Sequence, residues 1–169
     1  MTPHILEFVK SHKDKLTGRI IEVGSYDVNG SVRSVIDVSV GTDLRNGRGV
    51  DLVAPVSDLL SHFPEGSFDG CVSTETLEHV KDWKGFVKVT WDLVKDGGYL
   101  VMTMASKYKG RHAYPDDYWR FELEDIYKIY PNAEWVGELP AKKRPTSIGW
   151  VVKKTGTLGS LDFEPIKVK

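Results

Sequence analysis

Residues 19–32 read RIIEVGSYDVNGSV and decide the fold that the sequence predicts. The run begins with β-branched apolar residues and reaches a glycine at position 24, a pattern typical of a strand buried on both faces of a sheet. The residues Ser-Tyr-Asp-Val-Asn separate Gly24 from Gly30, so the dense G-x-G-x-x-G cluster that holds a pyrophosphate is missing. The loop therefore favours a nucleoside ligand without phosphates.

Strand-like runs alternate with helical runs along the rest of the chain. Further strands are predicted at 38–43, 50–55, 67–74, 99–104, 133–139 and 147–155, and helices at 1–17, 82–96 and 123–130. We take Gly97-Gly98 as the stop of the second helix. The alternation indicates an α/β fold: a Rossmann-like, doubly wound, seven-stranded, mainly parallel sheet with a C-terminal antiparallel strand pair and helices on both faces. We expect a single domain at 1–158, which includes the N-terminal helix at 1–17, and a C-terminal tail at 159–169.

The composition excludes several classes of protein. The 169 residues carry a formal net charge of −1 and 28% of them are charged, so no bulk charge marks a nucleic-acid or membrane-surface protein. The apolar runs are too short to cross a bilayer, and the N-terminus lacks the apolar centre of a signal peptide. The single Cys71 rules out an internal disulfide and fits a reducing compartment. We expect a soluble cytoplasmic protein with no membrane partner.

The carboxyl ends of the predicted strands are where an open α/β sheet binds its ligand. Asp43 lies 19 residues after Gly24 at such an end, where a carboxylate can accept hydrogen bonds from both hydroxyls of a ribose. The alternative is that Gly24 serves the turn alone and Asp43 caps a turn. If a nucleoside binds, its adenine is expected beside apolar and polar residues at the end of the third strand, namely Leu44, Val56, Ser57 and Asp58.

Four segments resemble, in order and spacing, the motifs of class I S-adenosylmethionine-dependent methyltransferases of the kind often called methyltransferase type 11. They read IIEVGSYDVNGSVR, GTDLRNGRGVDLV, SFDGCVSTETLEHV and LVKDGGYLVMT, and they lie within residues 19–104. The resemblance implies S-adenosylmethionine as the cofactor and S-adenosylhomocysteine as its product.

The resemblance also assigns roles to single residues. Glu22 and Gly24 match the acid and the first glycine of the loop that holds the methionine part of the cofactor, and Asp43 matches the acid that binds the ribose. Glu75 and the Leu77-Glu78-His79 segment match the part of the family that borders the cofactor's methyl end. The residues expected to bind the cofactor are Glu22, Gly24, Ser25, Tyr26, Asp27, Asp43, Leu44, Val56, Ser57, Asp58, Thr74 and Glu75.

The sequence departs from the family at two places. Ser25, Tyr26 and Asp27 replace the usual second close glycine, so we expect these side chains to contact the cofactor's amino-acid end or to shape the entrance. Pro55 stands where the family often has an aspartate that holds the adenine amino group. Recognition of the adenine then falls to the backbone and side chains that follow Pro55.

Residues 106–121 form the most polar and aromatic part of the chain and are expected to recognise an acceptor or to act as a lid. The candidate catalytic bases are, in order, His112, Asp116 and His79. The residues expected to bind the acceptor are Tyr114, Asp117, Trp119 and Arg120. The alternative is a loop that packs through its aromatic residues, with Arg120 paired to a neighbouring aspartate. Cysteine and histidine clusters at ligand spacing are missing from the sequence, so no metal is expected.

The leading hypothesis is an enzyme that transfers a methyl group by in-line displacement to a small-molecule or sugar-type O or N acceptor. The sugar is suggested by the segment HAYPDDYWRFELEDI, which resembles family members from sugar and cell-envelope gene clusters. The alternatives are an S-adenosylmethionine-binding module without transfer activity and an enzyme that cleaves the cofactor on the same fold. Nucleic acid ranks last as an acceptor, because no Asp/Asn-Pro-Pro-Tyr motif for an extruded base is present. The insertions that usually build an acceptor pocket are short in this sequence. The pocket is then either open or completed by a second subunit, so a homo-oligomer is possible.

Overall fold

A computed structural model describes residues 2–112, 116–140 and 143–168. This part of the chain contains nine strands and four α-helices. The strands are β1 (Ile20–Val23), β2 (Val40–Asp43), β3 (Leu52–Val53), β4 (Phe68–Thr74), β5 (Val94–Ala105), β6 (Trp119–Arg120), β7 (Ala133–Leu139), β8 (Ser147–Lys153) and β9 (Ile166–Lys167). The helices are α1 (Pro3–Ser11), α2 (Leu59–His62), α3 (Trp83–Leu93) and α4 (Leu123–Ile129).

Seven of the strands form the central sheet in the order β3-β2-β1-β4-β5-β8-β7. The pairs from β3 to β5 are parallel, whereas β8 is antiparallel to both β5 and β7. The predicted fold class, a mainly parallel seven-stranded sheet that ends in an antiparallel pair, is therefore confirmed. A small second sheet, in which β6 pairs with β9, accompanies it.

Helices cover both faces of the sheet, and each face has its own cluster of buried apolar side chains. Phe8 and Val9 of α1 belong to one cluster, and Trp83 of α3 belongs to the other. The adjacent Ile20 and Ile21 of β1 fall in different clusters, because successive side chains of a strand point to opposite faces. Both isoleucines are fully buried, which explains why this segment is apolar without alternation.

The N-terminal helix is shorter than the predicted 1–17. α1 ends at Ser11 and a 3-10 turn follows at Lys13–Lys15, before Gly18 leads into β1. The Ser11 hydroxyl donates to the Phe8 carbonyl, a local bond that competes with continuation of the helix. The prediction of one helix up to residue 17 is therefore wrong in its last turns.

The helix predicted at 82–96 ends earlier than Gly97-Gly98. Its start is as expected, since the Asp82 carboxylate caps it by accepting the Gly85 N–H at 3.0 Å. Val94, however, is extended and pairs with Phe68 of β4, so α3 leads directly into β5. Gly97 adopts a positive φ of 80° within this extended segment, where its N–H donates to the Lys154 carbonyl at 2.8 Å.

The C-terminal residues contact the rest of the fold. Phe163 packs against the main core cluster, where its ring lies 5.0 Å from that of Trp83 and 6.2 Å from that of Phe121. The Val168 N–H donates to the Tyr118 carbonyl at 2.9 Å, next to the β6–β9 pair. These contacts belong to the segment for which the sequence predicts a tail. Within the described ranges, no helix combines the length and apolar character that a membrane crossing requires.

Candidate functional site

A cleft of about 880 Å³ opens at the carboxyl ends of β1, β2 and β4. Because β2 and β4 lie on opposite sides of β1, this is the point where the strand order reverses and where such sheets bind ligands. All residues that the sequence predicts for the cofactor line it, with the exception of Asp27 and Asp58. The strand order thus gathers segments that are far apart in the sequence.

Backbone hydrogen bonds hold the loop that follows β1 against β2. The N–H groups of Gly24 and Ser25 both donate to the Thr42 carbonyl, at 2.8 and 3.0 Å. Gly24 has a positive φ of 83°, and a Cβ there would lie only 2.0 Å from Thr76 Oγ1. Thr76 in turn donates to the Val23 carbonyl at 3.4 Å. Glycine is therefore required at 24 both by the turn and by the close approach of the segment after β4.

Two buried polar atoms of this loop lack a hydrogen-bond partner among the described residues. Glu22 is only 2% exposed and its Oε2 has no partner, and the same holds for Oγ of Ser25, which is 3% exposed. Burial raises the pKa of Glu22 to about 8. Both residues line the cleft, so a polar ligand group could satisfy atoms that otherwise cost free energy.

Asp43 stands at the end of β2, with both carboxylate oxygens held by backbone N–H groups. Oδ2 accepts from Tyr26 at 3.3 Å and Oδ1 accepts from Arg45 at 3.1 Å. A carboxylate oxygen can accept more than one hydrogen bond, so each keeps capacity for a ligand hydroxyl. The sequence offered two interpretations of Asp43, a cap of the turn and a hydrogen-bond acceptor for a ribose. The Asp43 carboxylate can serve both roles at once.

Asp27 and Asp58 are engaged elsewhere. Asp27 forms an ion pair with Arg48 and accepts the Gly30 N–H at 2.7 Å. These hydrogen bonds, the Gly30 one first, lower the pKa of Asp27. Its side chain borders a neighbouring depression instead of the cleft. Asp58 is exposed and accepts from the Ser57 hydroxyl at 2.8 Å.

The opposite end of the cleft, here called the histidine corner, is lined by Glu75, His79, Lys109 and His112. Glu75 has a φ of 52°, which is uncommon for a residue with a side chain and marks a constrained backbone at the end of β4. Its Oε2 accepts from Lys109 Nζ at 2.8 Å, and its Oε1 is buried without a described partner. The rings of His79 and His112 lie edge to face, with their centroids 5.0 Å apart.

Glu78 lies behind this corner; the resemblance places its segment, Leu77-Glu78-His79, at the cofactor's methyl end, but Glu78 is not among the candidate bases or binding residues. The side chain is fully buried; Oε1 accepts the Ala105 N–H at 3.1 Å and lies 3.7 Å from His112 Nε2. Oε2 has no partner among the described residues. Burial, followed by the charge of Glu75, raises the pKa of Glu78 to about 8. The signal in the sequence is a glutamate next to a leucine in a segment that packs on the sheet.

Three residues predicted to bind the acceptor, Asp117, Trp119 and Arg120, do not line the cleft. Arg120 is only 3% exposed and forms an ion pair with Asp117, with Nη2 donating to Oδ2 at 2.7 Å. Burial raises the pKa of Asp117, but the hydrogen bonds from Arg120 and from the His112 N–H bring it down to about 2. Trp119 Nε1 donates to the Val80 carbonyl at 3.0 Å. This arrangement matches the alternative prediction of a packed loop with a paired Arg120.

The three candidate bases differ in their access to the cleft. His79 and His112 line it, whereas Asp116 does not: its carboxylate accepts from the Tyr118 hydroxyl at 3.0 Å, and its carbonyl contacts His79 Nδ1. Burial, and then the charge of Lys109, lower the pKa of His112, which favours its neutral form. Tyr114, also predicted to bind the acceptor, lies outside the described residues.

Comparisons with known proteins agree with this geometry. Residues 32–102 match the family model described as a methyltransferase domain. No curated protein sequence matches the chain.

The fold is similar to several solved structures. A Burkholderia thailandensis 1,6-didemethyltoxoflavin-N1-methyltransferase, solved with 1,6-didemethyltoxoflavin and S-adenosylhomocysteine, has a TM-score of 0.68 and 13% identity over 90% of this chain and 79% of that one. A Thermotoga maritima S-adenosylmethionine-dependent methyltransferase has a TM-score of 0.63 and 16% identity over 89% and 91% of the two chains. A Haemonchus contortus phosphoethanolamine N-methyltransferase has a TM-score of 0.66 and 13% identity over 97% of this chain and 44% of its own. At such low identities, these likenesses establish the fold.

Proposed function

We propose that this chain is a class I S-adenosylmethionine-dependent methyltransferase and that the cleft beside β1 binds the cofactor and presents its methyl group to a small-molecule acceptor. The observation that carries the proposal is the pair of buried, unpartnered atoms Glu22 Oε2 and Ser25 Oγ at the wall of that cleft. Polar atoms of this kind fit the charged amino-acid end of the cofactor, which offers the donors and acceptors that they lack.

The other residues of the cleft fit the rest of the cofactor. Asp43 would accept hydrogen bonds from the ribose hydroxyls. Leu44, which is 63% exposed, and Val56 would cover the adenine, and binding would bury their apolar surface. Ser57 lines the same end, and its hydroxyl oxygen, which donates its hydrogen to Asp58, can accept from the adenine amino group. Asp27 and Asp58 are left out of the proposed contact set, because their side chains do not line the cleft and are already engaged by other groups of the protein.

The cofactor supplies a methyl group on a sulfonium, so the protein has to align the acceptor and exclude water. Phe86 and Val80 contribute apolar wall near the histidine corner. An O or N acceptor bound at this corner would have His112 within reach of its proton, with His79 beside it. Two similar structures were solved with 1,6-didemethyltoxoflavin and with phosphoethanolamine, which are small molecules. This supports a small-molecule acceptor for the present chain, and a sugar-type acceptor belongs to the same class.

A screen of small hydroxyl and amine acceptors with methyl-labelled cofactor tests the transfer. We expect labelled product, and we expect His112→Ala to lower its rate by about 100-fold or more for a hydroxyl acceptor. Tight cofactor binding without labelled product across the screen would favour the binding module. Loss of the cofactor without an acceptor, with breakdown products in solution, would favour cleavage.

A further inference from the structure

Three side chains at and behind the histidine corner bring metal-ligating atoms together. One ligand atom each of Glu78, His79 and His112 lies within 4.8 Å of the other two. We propose that these three residues bind a divalent transition-metal ion of the Zn²⁺ type. Two imidazoles and one carboxylate form a donor set that such ions prefer, and three protein ligands are the number typical of sites that keep a position open for a small molecule.

The buried carboxylate of Glu78 is the strongest argument for an ion. Its side chain is fully buried and Oε2 has no partner among the described residues. Two other acids nearby are paired with a cation, Glu75 with Lys109 and Asp117 with Arg120. Among the described residues of this corner, the ion-pair contact of Glu78 is the 3.7 Å approach of His112 Nε2 to Oε1, which also accepts the Ala105 N–H. A divalent ion would compensate a buried charge that otherwise strongly disfavours ionisation.

The two imidazoles are held so that one nitrogen of each is available to a metal. Nδ1 of His79 contacts the Asp116 carbonyl oxygen, which can only accept, so Nδ1 carries the proton and Nε2 has the lone pair. Nδ1 of His112 lies 3.1 Å from Asp117 Oδ2, a carboxylate that is itself fixed by Arg120. Nδ1 makes no hydrogen bond to a described residue at this ring orientation, but the negative charge of Asp117 beside it favours the proton on Nδ1 and leaves the lone pair on Nε2, the nitrogen that approaches Glu78. Oxygen acceptors behind ligating histidines are typical of metal sites.

Small side-chain movements would complete the coordination. Bonds of about 2.0–2.2 Å to a tetrahedral ion hold donor atoms roughly 3.4 Å apart. The approach of Glu78 to His112 at 3.7 Å is already close to this value, and the largest separation in the cluster is within 4.8 Å. His79 and His112 are partly exposed and line the cleft, so each ring borders open space on that side.

An ion at this position would face the acceptor end of the cleft, because both imidazoles line that end. An acceptor hydroxyl bound to the open coordination position would have a lowered pKa, and the ion would take over the task given above to His112. This consequence rests on the proposed function, whereas binding of the ion does not.

Calorimetric titration of the chelator-treated full chain with ZnCl₂ tests the site. We expect one ion per chain, and roughly 100-fold weaker binding in His79→Ala, in His112→Ala and in Glu78→Gln, which keeps the shape of the buried side chain. His62→Ala is the matched control, because His62 is an exposed histidine of α2 outside the cluster. Melting curves followed by circular dichroism, with and without Zn²⁺, establish that each variant is folded when it is titrated.

Substitution with Co²⁺ gives a second readout, because its visible absorption reports ligands and geometry. Intense bands in the wild type that disappear in His79→Ala and His112→Ala but persist in His62→Ala support the site. The proposal is overturned if the wild type binds no ion, or if His79→Ala and His112→Ala bind it as tightly as His62→Ala does. Titration of S-adenosylmethionine into the same metal-free sample separates the two proposals, since loss of cofactor binding contradicts the proposed function alone.

Discussion

Glu22 shows how one residue connects the fold to the site. It belongs to β1, where it lies beside Gly41 of β2 and Val72 of β4, and this central position explains its burial. Burial raises its pKa to about 8, and its Oε2 has no described partner at the wall of the cleft. Ionisation of a carboxyl group in such a place lowers the free energy of unfolding, and this loss can be measured as a function of pH.

The first prediction concerns the pH dependence of stability. Because the pKa of Glu22 is about 8 in the folded chain and 4.5 in the unfolded chain, the folded state holds a proton that the unfolded state releases between these values. The free energy of unfolding should therefore fall as pH rises through this window, by up to about 1.4 kcal/mol per pH unit. Glu22→Gln should remove this part of the slope in urea unfolding of the cofactor-free protein. Equal slopes in wild type and variant would mean that Glu22 is not responsible.

The second prediction compares two glycines with positive φ. Alanine is strained at both 24 and 97, by about 1 kcal/mol each, but only at Gly24 would the added Cβ collide with Thr76; at Gly97 nothing lies within 4 Å. Gly24→Ala should therefore lower the free energy of unfolding by at least about 1 kcal/mol more than Gly97→Ala, and should also weaken cofactor binding. Chemical denaturation and calorimetry measure the two effects. Equal destabilisation by both substitutions would show that the Thr76 contact is unimportant.

The location of a residue at the cleft was predictable from the sequence where it follows from the residue's position at the end of a strand. Gly24 and Asp43 follow directly from the ends of β1 and β2, so the order of residues along the chain is enough to place them at the cleft. Asp27 could not be placed in this way, because its partner is set by folding, and for Arg120 the sequence left open whether it binds an acceptor or pairs with a neighbouring aspartate. Arg48 reaches Asp27 from the loop after β2, and Asp117, just before β6, meets Arg120 of that strand where both are buried.

At the scale of elements, the short β6–β9 sheet and Asp117 just before it position the histidine corner. Arg120 of β6 holds Asp117, and Asp117 accepts the backbone N–H of His112 at 3.0 Å. The sequence predicted neither strand, since two-residue strands have no readable periodicity. The long strands β4 and β8 and the cap of α3 were readable, because apolar runs and a capping aspartate are local signals. The early end of α3 depends on the pairing of Val94 with β4, which is not local.

The third prediction concerns the buried ion pair. Arg120→Ala leaves Asp117 without its cation in a buried place and should cost about 3–5 kcal/mol of unfolding free energy. Lys128→Ala is the matched control: it removes the cation of the Lys128–Asp125 pair, also three residues apart, whose lysine is 51% exposed and should contribute at most about 1 kcal/mol. Thermal and urea unfolding report both values. Comparable losses for the two variants would show that the Arg120 pair does not support the fold.

At the scale of the whole molecule, the C-terminal segment packs against the core of the domain. The sequence of 159–169, with many polar residues and no clear periodicity, predicts a tail, whereas Phe163 and Leu161 pack against the main core cluster. Such packing could not be predicted, because it depends on Trp83 and Phe121, which lie far away in the sequence and meet only after folding.

The fourth prediction separates these two interpretations. Deletion of residues 159–169 should lower the melting temperature by several degrees or more, because it exposes Trp83 and Phe121 and removes the partner of β6. Deletion of residues 164–169 alone keeps Phe163 and serves as the control, with a smaller expected loss. An unchanged melting temperature after the longer deletion would support a tail that the domain does not need.

Calorimetric titration of the wild type with S-adenosylmethionine and with S-adenosylhomocysteine tests the central claim, that this cleft binds the cofactor. We predict one molecule bound per chain at sub-millimolar concentration, with roughly 10- to 100-fold weaker binding in Asp43→Ala, which loses hydrogen bonds to a charged group. Asp58→Ala, which removes an exposed aspartate outside the cleft, should bind like the wild type. Absence of binding by the wild type, or equal affinity of Asp43→Ala and the wild type, would contradict the account.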